Sequence, residues 1–179
     1  MVPEATLETL PEGLGAEGLG WFVLNARDAR WWQREGLGRW ADLEGDGDFE
    51  QLGIRIAVLQ PAEPTGMYHG ESGQEDFLVV SGECVLVIEG EERRLKQWDF
   101  VHCPPWTEHV FVGAGDGPCA IVMVGSRKPD GKVVYPVNEV AAKHGASVET
   151  ETTEPAVAYA PFKPRELGRY REGDLPDLG

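Results

Sequence analysis

Between residues 51 and 124 the chain is a succession of short apolar runs punctuated by glycine and proline, with no stretch between them suited to a helix. Gln51-Leu-Gly-Ile-Arg-Ile-Ala-Val-Leu-Gln60 alternates apolar and polar positions at the period of two that marks a half-buried strand. Further β-type runs over 75–81, 84–89, 92–96, 99–103, 108–113 and 118–124 are separated by Gly82, Gly90, the Pro104-Pro105 pair and a glycine-containing loop over 113–117. Strands this short, at this spacing and without helices between them, fold as a sandwich or barrel. The fold class is therefore all-β.

The flanks read differently. A chain of 179 residues fits one domain, divided here into residues 1–50 as an N-terminal arm with a strand or short helix, 51–127 as the barrel core, and 128–179 as a C-terminal helix and extended tail. Residues 1–20 are glycine- and proline-rich and read as a loosely held arm. A strand is predicted over 21–25, and one or two helical turns over 28–36 with Asp28 as N-cap. Trp31, Trp32 and Trp40 would pack this segment on the barrel. Asn138-Glu-Val-Ala-Ala-Lys-His-Gly145 offers an N-cap, a helical body and a glycine stop. Beyond it Tyr159, Phe162 and Tyr170 are candidate anchors for a tail draped over the barrel or a neighbour's.

Charge and hydropathy exclude some functions. The formal net charge of −15 opposes binding to nucleic acid, which requires a basic surface. No apolar run approaches the roughly 20 residues that span a bilayer, so no membrane partner is expected. The N-terminal residues lack the basic and apolar regions of a secretory signal, and a cytoplasmic location is expected. Cys84, Cys103 and Cys119, odd in number and without C-x-x-C spacing, read as buried apolar residues in a reducing compartment.

Two segments carry candidate chemistry. In Met67-Tyr-His-Gly-Glu-Ser-Gly-Gln-Glu-Asp-Phe-Leu-Val-Val-Ser-Gly-Glu83, His69 and Glu71 share one side of an extended chain, and Glu75, Phe77 and Val79 repeat that parity on the next strand. If Phe77 faces the interior, so does Glu75, and a buried carboxylate needs a cation or donor beside it. In Trp98-Asp-Phe-Val-His-Cys-Pro-Pro-Trp-Thr-Glu-His-Val-Phe-Val-Gly113, His109 and Phe111 share a strand face and can point into the same space. His69, Glu71, Glu75 and His109 are the candidate metal ligands. Imidazole nitrogen with carboxylate oxygen suits one divalent transition metal, Zn, Mn, Fe, Ni or Cu, rather than Mg or Ca. Met67, Phe77, Phe111 and Trp106 are the candidate pocket lining, and Glu71 and Glu75 the candidate catalytic acids or bases. His102, adjacent to the inward parity of Val101 and Cys103, is expected to face outward.

These segments resemble the two conserved motifs of the cupin superfamily. The first reads H-x-H, three or four residues, E, six residues, G; His69, Glu75 and Gly82 match, and Glu71 stands where the second histidine is usual. The second reads G, five residues, P-x-G, two residues, H, three residues, N; Pro104 and His109 match, while Trp98, Trp106 and Gly113 replace the two glycines and the asparagine. The resemblance covers the middle third to half of the chain. It implies a double-stranded β-helix, or jelly-roll, barrel with a metal inside and a homodimeric assembly. Glu71 either completes a two-His, two-carboxylate site or turns away to leave a two-His-one-carboxylate face with open positions. A cupin of this kind is expected to be a metal-dependent enzyme, an oxygenase, isomerase or related lyase acting on a small oxygenated molecule. The alternative is a non-catalytic cupin that binds a small molecule or metal complex. With no helix-turn-helix, the transcription-factor variety is disfavoured, and for a storage barrel the chain is short.

Overall fold

A computed structural model describes residues 1–47 and 49–176. Its strands are β1 (Thr6–Leu10), β2 (Gly13–Glu17), β3 (Trp31–Arg34), β4 (Leu37–Ala41), β5 (Leu52–Leu59), β6 (Gly70–Glu71), β7 (Glu75–Ser81), β8 (Glu83–Ile88), β9 (Glu91–Lys96), β10 (Phe100–Cys103), β11 (His109–Ala114), β12 (Cys119–Ser126), β13 (Val133–Val134) and β14 (Glu166–Gly168). Two single-turn helices, α1 (Glu139–Ala142) and α2 (Pro155–Ala158), follow β13.

The barrel has two walls. One is a seven-stranded antiparallel sheet in the order β10-β7-β12-β5-β4-β3-β14; the other is the sheet β11-β8-β9, which the paired residues His69 and His109 join to the short sheet β13-β6. Between them lies a core of Leu59, Phe77, Val79, Cys84, Leu86, Cys103, Phe111, Cys119 and Ile121. Burying each large side chain there is worth about 1.5–3 kcal/mol. All three cysteines are free thiols in this interior.

The outer face of the large sheet is covered as well. Ile56 and Val58 on β5 pack with Trp31, Ala41 and Ala120 in a second cluster, to which Tyr170 from the tail adds its ring 5.8 Å from that of Trp31. Behind the small sheet, Val87 and Val110 pack on Tyr68, Ala141 and Ala146. Asn138 caps α1, its Oδ1 accepting from the backbone N–H groups of Val140 at 3.0 Å and Ala141 at 2.9 Å.

The flanks differ from the sequence reading. Residues 28–36 are not helical: β3 and β4 form a hairpin turning at Glu35-Gly36, because the alternating tryptophans bury Trp31 on one face and pair Trp32 with Trp40 on the other. Within residues 1–20, read as a loosely held arm, β1 and β2 form an antiparallel hairpin. The strand expected over 21–25 is reduced to one bridge between Trp21 and Glu4. The tail returns on its own barrel, where β14 pairs with β3.

Candidate metal centre

Strand parity directs the candidate ligands. On β7, Glu75 and Phe77 point into the barrel, while Asp76 points out, where its carboxylate lies 2.6 Å from His102 Nδ1. His102 thus faces outward, away from the cavity. His69 and His109 sit opposite one another as an antiparallel pair. The His69 N–H donates to the His109 carbonyl at 3.2 Å and the His109 N–H to the His69 carbonyl at 2.8 Å. Their rings therefore project from the same side of the ladder, with centroids 5.1 Å apart.

Both imidazoles are oriented by the backbone. His69 Nδ1 lies 2.8 Å from the Met67 carbonyl and His109 Nδ1 lies 3.0 Å from the Thr107 carbonyl. A carbonyl only accepts, so each Nδ1 carries a hydrogen, and in the neutral ring each Nε2 presents a lone pair to the cavity. This is the arrangement that metal-binding histidines require of their far nitrogen. One ligand atom each from His69, Glu75 and His109 lies within 4.8 Å of the others, so the three could hold one ion. Two neutral imidazole nitrogens and a carboxylate oxygen fit a divalent transition metal.

Glu71 stands outside that triangle. Its Oε1 is 3.6 Å from His69 Nε2, and its side chain is 43% exposed, against 17% for Glu75. The electrostatics separate the two carboxylates. Burial, and then the charge of Glu71, push Glu75 up to about 7. Interaction with His69 outweighs burial and holds Glu71 below the usual carboxylate range. Burial, and then His69, pull His109 down to about 4. For His69 burial is the largest single influence and acts downward, but Glu71 and Glu75 together outweigh it and raise the imidazole.

The cavity around these groups measures about 330 Å³ and is also lined by Phe77, Phe111, Arg55, Tyr135 and Tyr159. Met67 and Trp106, expected in the lining, are elsewhere. Met67 is buried beside Tyr135 and Ala158. Trp106 is 50% exposed, its backbone N–H donating to the Glu71 carbonyl at 2.6 Å. Both lie outside the strands, where alternation has no force. Arg55, Tyr135 and Tyr159 were missed. Arg55 reads as solvent-facing because Ile54, Ile56 and Val58 claim the apolar side of β5, yet Gly53, Arg55, Ala57 and Leu59 face the cavity.

The two departures at the glycine positions of the second motif also have a structural correlate. Trp98 and Trp106 adopt φ of 75° and 72°, the left-handed conformation that glycine takes without strain.

Residues 55–125 match the family model described as a cupin domain. A sugar phosphate isomerase of the cupin superfamily from Silicibacter pomeroyi DSS-3 superposes with a TM-score of 0.51 at 21% identity, covering 84% of this chain and 83% of that one. The polyketide cyclase of Streptomyces resistomycificus gives a TM-score of 0.51 at 16% identity over 62% and 83%. A structure from Acidithiobacillus ferrooxidans ATCC 23270 gives 0.46 at 25% identity, and the chain spans only 56% of its length. At these levels the likeness is one of fold. No curated protein matches the sequence. Among the described residues no helix is long and apolar enough to cross a membrane. Barrel, motifs and family match agree on the fold: a cupin-type jelly roll in which residues 55–125 match the cupin domain model.

Proposed function

We propose that this protein is a metal-dependent enzyme acting on a small oxygenated molecule inside the barrel, with His69, Glu75 and His109 as ligands. The observation that carries the reading is the triangle itself: two histidines fixed as Nε2 donors and one inward carboxylate, at the end of a cavity large enough for a small metabolite. A divalent ion bound there supplies a Lewis acid that polarises a substrate carbonyl or hydroxyl.

The chain's own residues do the rest. Phe77 and Phe111 exclude water from the inner end of the cavity. Glu71, beside His69 but outside the triangle, is a carboxylate free to take or give a proton at a carbon or oxygen next to the polarised group. That division favours proton-transfer chemistry, an isomerase or lyase, over an oxygenase. A homodimer in the cytoplasm belongs to the same reading, and the three free thiols suit a reducing compartment.

The test begins with elemental analysis of protein purified without chelators. Turnover of hydroxy-ketones, hydroxy acids and diols, followed by proton exchange from solvent deuterium oxide, then reads the chemistry. A stoichiometric transition metal and deuterium incorporation that Glu71→Gln abolishes would support it. Protein that holds no metal at any pH from about 6 to 8 would overturn it, and metal with ligand binding but no turnover would leave the non-catalytic alternative.

A further inference from the structure

A second chamber of about 490 Å³ opens from the metal cavity, sharing Trp40, Arg55, Thr65 and Tyr159 with it. Its charged lining is wholly cationic: Arg34, Arg55, Lys163 and Arg165, with no aspartate or glutamate. This is unexpected in a chain with 31 acidic and 16 basic residues, where surface arginines are more readily matched by a carboxylate.

Lys163 is neutralised by Glu35, 2.5 Å away. The other three are not. Among the described residues no carboxylate forms an ion pair with Arg34, Arg55 or Arg165. Each guanidinium instead lies over an aromatic ring: Arg34 at 4.9 Å from the Tyr159 centroid, Arg55 at 5.6 Å from Trp40, and Arg165 at 4.6 Å from Trp32. Trp32 and Trp40 are partners across the β3–β4 hairpin, so Arg165 and Arg55 flank a paired tryptophan platform. A guanidinium held over an aromatic ring keeps its N–H groups available for a forked contact with an oxyanion.

The placement matters as much as the charge. Arg55 projects from β5 into both chambers, and Glu71 and Glu75 both feel its charge. Among the described residues it is the guanidinium shared by the inner site and the stacked group outside it.

We infer that the outer chamber is an oxyanion subsite, in which Arg55, Arg34 and Arg165 hold a phosphate or carboxylate group of a small molecule whose other end lies at His69, Glu75 and His109. Naming the anion as part of a substrate rests on the metal-enzyme reading; the anion site itself does not.

Isothermal titration with inorganic phosphate and, separately, with malonate tests it on the protein as purified, with metal content measured on the same samples. The wild type is expected to bind one equivalent saturably, with affinity falling as salt rises. Arg55→Gln and Arg34→Gln should each weaken binding at least about 10-fold, with metal content and melting temperature unchanged; Arg55→Lys should recover only part, because it restores charge without the fork. A preference for phosphate assigns a phosphate ester, and a preference for malonate assigns a carboxylate. Absence of saturable binding, or equal affinity in the wild type and the Arg34→Gln/Arg55→Gln double variant, overturns the subsite. Phosphate held by the metal instead would survive the arginine substitutions and vanish in His109→Ala. Arginine-dependent binding in protein that holds no metal would sink the metal-enzyme reading and leave the subsite standing.

Discussion

Replacing Glu71 and Glu75 separately by glutamine distinguishes a three-ligand from a four-ligand centre. Each substitution removes one carboxylate charge and keeps the side chain's size. Glu75 belongs to the triangle whose ligand atoms lie within 4.8 Å of one another, and its side chain is 17% exposed. Glu71 lies outside the triangle and is 43% exposed. Metal sites built entirely of protein ligands release about 10–16 kcal/mol on binding, so one ligand among four carries about 3 kcal/mol, on the order of 100-fold in affinity. Glu75→Gln should therefore weaken metal binding at least about 100-fold. Glu71→Gln removes only a neighbouring charge and a contact to His69, and an outer partner of that kind is worth about 10-fold. Competition against a chromophoric chelator measures both constants, and circular dichroism confirms the fold. Equal losses in the two variants would make Glu71 a ligand and refute the three-ligand reading; a larger loss for Glu71→Gln would refute the parity argument from which the centre was built.

Other consequences can be checked with small amounts of protein. Metal uptake by stripped protein should rise with pH across roughly 6 to 8, because Glu75, pushed up to about 7 by burial and by Glu71, and His69, raised by Glu71 and Glu75 against its burial, must first lose their protons, whereas His109, pulled down to about 4, is already neutral. In the same stripped protein the raised Glu75 makes the folded state the stronger proton binder above the usual carboxylate range. Its contribution is then present below that range and lost as pH rises through about 7; His109, pulled down to about 4, acts in the opposite sense over the same interval, so the wild type is read against Glu75→Gln, and a wild-type melting temperature that climbs relative to that variant would contradict it. Gly113→Ala would bring a Cβ to 2.1 Å from the Gln60 carbonyl oxygen, a backbone clash expected to cost at least about 3 kcal/mol in urea unfolding or to prevent folding. Trp98→Gly, at a 65% exposed residue with φ of 75°, should be neutral or stabilising by about 1 kcal/mol, whereas the same change in regular strand would destabilise. Asp174→Ala leaves the buried Arg39 guanidinium, whose Nε has no partner among the described residues, without its counter-charge. A loss of about 3–5 kcal/mol is expected, and Arg39→Met combined with Asp174→Leu should recover most of it.

The barrel was legible because period-two alternation is a direct imprint of the pleat, and it held for the strand runs read between residues 51 and 124. Each strand run beyond residue 74 was placed within two residues of its observed bounds at either end. The same rule brought His69, Glu75 and His109 to one cavity, since their parity on paired segments leaves the side chains no other direction. It failed where the chain is not strand, at Met67 and Trp106, whose even spacing from His69 and proximity to His109 do not place them in the lining. The 28–36 segment failed for another reason. Asp28 and the following polar residues suit a helix start, but three tryptophans have more to gain from a sheet face, and burial of Trp31 overrides local preference.

The cationic chamber was out of reach for a reason that bears on function. A sheet with one wet face hides its apolar residues and shows its polar ones, so a polar residue at alternate positions of β5 signals solvent. Here the N- and C-terminal segments cover one face of that sheet, with Ile56, Val58 and Trp31 beneath them, and the face carrying Arg55 becomes the wall of the cavity instead. The flanks that looked incidental in the sequence thus supply Trp32, Trp40, Tyr159 and Arg165 to the mouth of the barrel. One cupin-type barrel can serve many reactions, and the two motifs do not distinguish one substrate from another. The arginines over the aromatic rings of the outer chamber come from outside the motifs, and on the subsite reading they are what would select the substrate.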